Sequence, residues 1–214
     1  MIATDHLKNS IIEQLKTNDL VRIAASEDDY FSVAYSLPFQ VQYHDSEIIT
    51  MGLASVRHEA LAATFMSILY NLLEDNDEFM VLGSNSGVHI PRFEGGYYMP
   101  DALVIKGEPV FKGKSTAIII NPHIIIEILS PSTQDFDLTE KLPQYKHLDS
   151  LQQVIFVSQK KINVSSYIRS ANPNVWLNQD FDNTSDEVLI ENRPVLLSQI
   201  YKKIKFEWSF GSAE

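Results

Sequence analysis

Glu127 is the residue around which any chemistry in this sequence must be built. It interrupts the apolar run Asn121-Pro122-His123-Ile124-Ile125-Ile126-Glu127-Ile128-Leu129-Ser130-Pro131, which reads as a strand buried on both faces. An ionised carboxylate taken out of water without a partner takes up a proton instead. The fold is therefore expected to supply a cation, either a basic side chain or a metal. A second acid, Asp101, follows Pro100 in Tyr97-Tyr98-Met99-Pro100-Asp101-Ala102-Leu103-Val104-Ile105. Proline tolerates the first position of a strand, so Asp101 is expected at a strand start; alone it would read as a turn aspartate. On neighbouring strands the two carboxylates can converge on one divalent ion. Magnesium keeps several waters, so two side chains and one backbone carbonyl suffice, and Ile128 is placed to offer the carbonyl.

Lys141 is the third element. Its helix, expected from about Leu138 to Leu148, shows Leu138, Leu142 and Tyr145 on one face. Lys141 lies about 60° round from Leu138, between Tyr145 and Leu148, so it points at the sheet. The bland alternative is a snorkelling stem with its ammonium at the rim. Asp137 with Glu140 three residues later reads as a capping box for this helix, and Pro143 predicts a kink or a late start. Asp101, Glu127 and Lys141 together are the parts for metal-assisted hydrolysis of a phosphodiester. The ion would acidify a bound water and neutralise charge growing on the phosphate oxygens; Lys141 would orient the nucleophile or offset charge.

Positioning these groups calls for a sheet and two helices. Val41 to Met51 is strand-like, with a turn at His44-Asp45-Ser46. Ser55 is a plausible cap for a helix over Val56 to Leu73, whose stripe is Leu61, Phe65, Ile68, Leu69 and Leu72; His58 lies near its edge. Further strands are expected over Phe79–Leu82, Gly87–Ile90, Tyr97–Ile105, Gln153–Ser158 and Ile162–Ile168, then a strand pair and a short helix near Leu196 to Ile204. A helix, a mixed sheet and a second helix make an α/β sandwich. The step from Glu127 through the Lys141 helix to Val157 predicts a parallel crossover. Residues 5–17 predict a short amphipathic helix through Leu7, Ile11, Ile12 and Leu15, packing on the main domain or on a second subunit.

Composition bounds the classes. With 214 residues, 44% of them hydrophobic, the chain suits one domain, alone or with a terminal extension. It has no apolar run long enough for a membrane span and no secretory-type N-terminus, and zero cysteine agrees with a cytoplasmic protein. A net charge of -11 speaks against a general nucleic-acid coat protein. A local basic rim stays open, with Lys106, Lys112 and Lys114, Lys160 and Lys161, and Lys202, Lys203 and Lys205 as clusters that otherwise read as solvated surface.

Pro100-Asp101, the segment Ile126-Glu127-Ile128-Leu129-Ser130-Pro131-Ser132-Thr133, and then Asp137, Lys141 and Tyr145 resemble the Uma family of restriction-endonuclease-like proteins. That family belongs to the nuclease superfamily with the Pro-Asp…(Asp/Glu)-X-Lys motif. The likeness runs from about Val41 to the C-terminus, leaving residues 1–40 as an N-terminal helical extension of a domain at 41–214. It implies a restriction-endonuclease-like α/β core, a mixed β-sheet flanked by helices, with Asp101 and Glu127 as ligands of Mg2+ or Mn2+. The superfamily's simplest motif puts lysine two residues after the glutamate; Leu129 stands there, so the role passes to Lys141. His58 matches a histidine at the start of the family's first core helix, which implies an accessory catalytic group; on an apolar helical face it otherwise reads as a satisfied core histidine. The segment Val154 to Gln159 lacks a Trp and an Asp common among relatives, and Leu148-Asp149-Ser150 replaces a Gly-Val turn, marks of a divergent member. The expected activity is a magnesium-dependent endonuclease acting on DNA as a homodimer, since two strands are most simply cut by two related sites. The alternative, favoured by the acidic composition, is a catalytically silent protein that keeps the fold for assembly or regulation. A phosphohydrolase of small nucleotides is a third and weaker reading.

Overall fold

Strand β9 (Pro122–Leu129) is buried along nearly its whole length because both of its faces are covered. Side chains alternate across a strand. Ile124, Ile126 and Ile128 join one core with Leu61, Phe65 and Leu69 of helix α3 (Val56–Leu73). Ile125 joins another with Phe136, Leu142 and Tyr145. By the same alternation Glu127 shares the face of Ile125. The computed structural model describes residues 2–93 and 96–207; residues 208–214 of the expected domain lie outside the described residues.

Around β9 runs a six-stranded sheet in the order β12 (Trp176–Phe181), β11 (Val164–Arg169), β10 (Gln153–Ser158), β9, β7 (Ala102–Lys106), β4 (Phe79–Gly83). β9 and β10 are parallel, with Glu127 opposite Phe156, so the expected crossover through a helical segment is present. β7 lies antiparallel on the other flank of β9. The class is α/β, with mixed sheets flanked by helices.

A second six-stranded sheet is ordered β1 (Leu20–Ala24), β3 (Glu47–Met51), β2 (Val41–His44), β6 (Tyr97–Tyr98), β5 (Gly87–His89), β8 (Ile118–Ile119). The β2–β3 turn holds Asp45 and Ser46 at φ 49° and 62°, the left-handed pair that a two-residue hairpin needs. The one strand expected over Tyr97–Ile105 is in fact two, β6 in this sheet and β7 in the other. Pro100, which has no amide hydrogen for a ladder, falls in the break. Asp101 therefore opens β7 at the point where the two sheets part.

The N-terminal stretch is built into this second sheet. Helix α1 (Ile2–Leu15) and helix α2 (Glu27–Ala34) flank β1, which pairs with β3 from Leu20 opposite Met51 to Ala24 opposite Glu47. Ile11, Tyr30 and Val33 share a core with Val41, Tyr43 and Ile48. α2 begins in a capping box between Ser26 and Asp29. The sequence pattern does not announce β1, α2 or β12: all are short, and β12 is exposed along most of its length. The hairpin β13 (Glu187–Ile190) and β14 (Arg193–Leu196) and helix α6 (Leu197–Ile200) close the described chain.

The segment after β9 departs from expectation. Helix starts at residue 134, not 138, as α4 (Gln134–Phe136), widens into a π-turn (Asp137–Lys141) and ends as α5 (Leu142–Tyr145). In the wide turn the Leu142 amide donates to the Asp137 carbonyl, five residues back. Pro143, which has no amide to donate, falls directly after this widened turn.

Candidate active site

Three segments meet at Glu127: β9 carries it, the link just before β7 carries Asp101, and the π-turn carries Asp137 and Lys141. The Lys141 Nζ lies 3.0 Å from Glu127 Oε1 and 2.8 Å from Asp137 Oδ1. The Tyr145 hydroxyl donates to the same Glu127 oxygen at 2.7 Å. Glu127 is 3% exposed and Lys141 2%, so the lysine points at the sheet, as its helical phase predicted. Its ammonium also stands over the Phe136 ring, 5.4 Å from the centroid. Asp101 is held by the chain itself, because its Oδ2 accepts the Ile128 amide at 2.7 Å. The amide that clamps one acid thus belongs to the residue following the other. His58 sits in the first turn of α3, whose N-cap Ser55 accepts the His58 amide. Its Nε2 approaches Asp101 Oδ2 at 3.3 Å, and its buried Nδ1 has no hydrogen-bond partner among the described residues.

The expected capping box between Asp137 and Glu140 is not what those acids do. Asp137 is buried, paired with Lys141, and accepts the Thr133 hydroxyl at 2.9 Å. Glu140 takes a two-pronged contact from Arg22 of β1 at 2.7 and 2.8 Å. The widened turn is the reason: helix already precedes Asp137, so no free N-terminal amides remain there for it to cap. Asp137 thus joins the candidate site, a place that the spacing alone disguised. The signal was available in its i, i+4 relation to a lysine already assigned to the buried face.

Two carboxylates, Glu127 and Asp137, share the Lys141 ammonium, and Asp101 adds a third negative charge to the same cleft. Burial pushes the Glu127 carboxyl well above its ordinary value; Lys141 opposes the rise, and Asp137 and Asp101 add to it. Burial alone would lower Lys141, yet Asp137 and Glu127 together carry it above its ordinary value, so it stays charged. His58 is likewise drawn upward, burial opposing and Asp101 prevailing. Glu127 remains the under-compensated acid.

That imbalance bears on whether these residues suit a divalent cation. The hydrogen bonds of Asp101 fall on Oδ2 and those of Glu127 on Oε1, which leaves Asp101 Oδ1 and Glu127 Oε2 without a donor among the described residues. Both side chains and Ile128 line one cleft of about 760 Å3. Among the described residues no three His, Asp or Glu side chains are gathered as a ready-made ligand set. Two hard carboxylate oxygens and local negative excess suit Mg2+, which completes its shell with water and backbone, and not a protein-caged zinc. Arg57 and Lys160 stand at the cleft wall with Asp19 and Glu59.

Comparison with known proteins gives the family and the fold. Two uncharacterized proteins of Synechocystis sp. (strain ATCC 27184 / PCC 6803 / Kazusa), sll1609 and slr1290, are each 29% identical to the chain over 126 residues. The matched stretch covers 59% of this chain and 70% and 64% of those proteins. A crystal structure described as "a putative nuclease belonging to DUF820" from Anabaena variabilis superposes with a TM-score of 0.65 at 18% identity, over 82% of this chain and 96% of that one, a likeness of fold. Residues 29–197 match the Uma2 family, described as "Putative restriction endonuclease", and the chain belongs to that family.

Proposed function

We propose that this protein is a divalent-metal-dependent endonuclease that hydrolyses DNA phosphodiester bonds at Asp101, Glu127 and Lys141. The observation that carries the reading is the pair of carboxylates with one undonated oxygen each, in one cleft beside a buried lysine that cannot neutralise both. Family membership and a nuclease-like fold support a nuclease at the coarser level.

In this reading Asp101, Glu127 and the Ile128 carbonyl hold Mg2+ or Mn2+. When bound, the ion acidifies a water and screens the phosphate oxygens. Lys141, fixed between Asp137 and Glu127, contributes a preorganised positive charge that needs no reorganisation as the phosphate gains charge. Tyr145 holds the Glu127 rotamer through its hydroxyl, and Asp137 divides the lysine's ammonium with Glu127. His58 orients Asp101 through the same oxygen that accepts the Ile128 amide. A homodimer would supply two such sites for two strands. A cysteine-free chain, in which no described helix is long and apolar enough to cross a membrane, fits work in the cytoplasm.

Purified protein is expected to nick supercoiled plasmid with Mg2+ or Mn2+, and neither EDTA-treated protein nor the Glu127→Ala variant should do so. Nicking that survives the substitution would overturn the assignment. The net charge of -11 favours a second reading, a catalytically silent fold kept for assembly. That reading predicts no metal-dependent cleavage of any DNA by folded wild-type protein.

A further inference from the structure

A second cavity, of about 370 Å3, opens beside the cleft and shares Phe39, Gln40 and Met99 with it. Its aromatic walls come from the N-terminal stretch: Phe31 and Tyr35 of α2 and its C-terminal end, and Phe39 of the loop that follows. Among the described residues no charged side chain lines it. Two side-chain amides stand at its edge, Gln40 and Asn85. Gln40 Nε2 donates to the Ser84 carbonyl at 2.6 Å and to Asn85 Oδ1 at 3.3 Å. Among the described residues Gln40 Oε1 and Asn85 Nδ2 have no partner, so an acceptor and a donor remain free. Tyr35 is 75% exposed, and its ring lies nearly parallel to that of Phe31, with centroids 6.4 Å apart. Met99 lies two residues before Asp101, so a single short link forms a wall of this cavity and opens β7 at the proposed metal site.

From these observations we infer that the cavity holds one unpaired nucleobase of the DNA strand whose phosphate lies in the cleft, making single-stranded or gapped DNA the preferred substrate class. This rests on the endonuclease reading of the cleft. A base has apolar faces for aromatic walls and a polar edge for an acceptor and a donor, while its phosphate needs the charged cleft outside. The volume lies at the low end for small-ligand pockets, about 300–1,000 Å3, which suits one nucleoside-sized group. A base in a duplex reaches such a pocket only by unstacking and unpairing, whereas an unpaired base avoids most of that cost. Aromatic stacking is also the attraction that remains available to a chain of net charge -11, for which broad phosphate contact is weak. The stretch before Val41 thereby acquires a role in binding, holding the base while β7, β9 and the π-turn act on the phosphate.

Fluorescence anisotropy with full-length wild type in EDTA tests this, using labelled 15-mers as single strand, blunt duplex and duplex with a one-nucleotide gap. The single strand and the gapped duplex should bind at least about tenfold more tightly than the blunt duplex. Tyr35→Ala, a change at an exposed position, should weaken the single strand by about five- to 150-fold, the loss expected for one base–aromatic stack, and leave the blunt duplex unchanged. Ala34→Leu, which fills the cavity and removes no aromatic, should act in the same direction. Equal affinity for all three DNAs, no binding to any, or variants that bind the single strand as wild type does would each overturn the inference. Plasmid nicking with Mg2+, measured in parallel, separates the two readings. Nicking without strand preference leaves the cleft assignment standing and removes the base pocket; preference without nicking does the reverse.

Discussion

Lys141 and Glu127 form a buried pair in which each partner would be costly alone. Removing one partner of such a pair typically costs about 3–5 kcal/mol, because the other is left as an uncompensated charge out of water. Lys141→Met leaves Glu127 and Asp137 facing one another without a cation, so urea unfolding should show a loss of stability in that range. Glu127→Gln differs, because Lys141 stays paired with Asp137 and the acid removed is the one that burial already pushes toward protonation, so its effect has the opposite sign. In the folded, metal-free protein Glu127 binds its proton more tightly than in the unfolded chain, where the ordinary value is 4.5. The folded state therefore holds the extra proton as pH rises from 4.5, and stability falls until the folded group also ionises. Melting temperature in EDTA should decline over that interval for wild type, and this component of the decline should vanish in Glu127→Gln. A flat wild-type profile, with the variant no more stable at neutral pH, would mean that Glu127 is fully compensated without metal. Mg2+ should then raise the melting temperature of wild type, by mass action on the folded state, and leave that of Glu127→Gln nearly unmoved. That pair of melts reads ion binding without any cleavage assay.

At the scale of elements, the π-turn is what brings Asp137 and Lys141 to β9, and Arg22 ties that turn to the second sheet. Its guanidinium bonds Glu140 through both terminal nitrogens and Glu47 of β3 through Nε at 2.8 Å. Glu140 draws Arg22 further above its ordinary value, partly against burial. His44 of β2 adds a 3.2 Å approach to Glu140. Arg22, Glu47 and Glu140 are about one-third exposed, so the clamp is worth about 1 kcal/mol to global stability. Its larger effect should be local. Arg22→Gln is expected to speed amide exchange at residues 137–141 in hydrogen–deuterium measurements and leave β9 as protected as before. Unchanged exchange in the turn would show that packing of Phe136 and Leu142 alone holds it. The sequence revealed β9, α3, the parallel crossover and the burial of Lys141, because each follows from a strong period or a long apolar run. It hid the π-turn, since a one-residue widening leaves the apolar pattern almost intact. It hid the break at Met99–Asp101 for a related reason: Tyr97-Tyr98 and Ala102–Ile105 read as one strand until pairing partners distribute them between two sheets. Asp137 was misread with them, its role having been inferred from a helix start that lies further upstream.

For the whole molecule, charge decides how DNA can be held. A net charge of -11 repels a polyanion at long range, so association cannot depend on a broad positive face. The cleft offers Arg57 and Lys160 as cations for phosphate contact, and Lys141 is largely spent on carboxylates. Arg57 is further fixed by the backbone carbonyls of Gln159, Lys205 and Phe206. Asp19 and Glu59 at the same wall offset part of that charge. With about two phosphates neutralised, the logarithm of the single-strand binding constant should fall with the logarithm of salt at a slope of about -1.4, since each contact contributes about 0.7 for single strands. Anisotropy titrations of wild-type protein in EDTA across a series of NaCl concentrations measure this slope directly. A slope steeper than about -4 would require some six phosphate contacts, more cations than this cleft can offer, and would put the DNA on another face. A shallow slope joined to a measurable affinity would instead leave non-ionic contacts as the main source of binding. In this fold those contacts are concentrated where Phe39, Gln40 and Met99 link the cleft to the aromatic chamber of the N-terminal stretch.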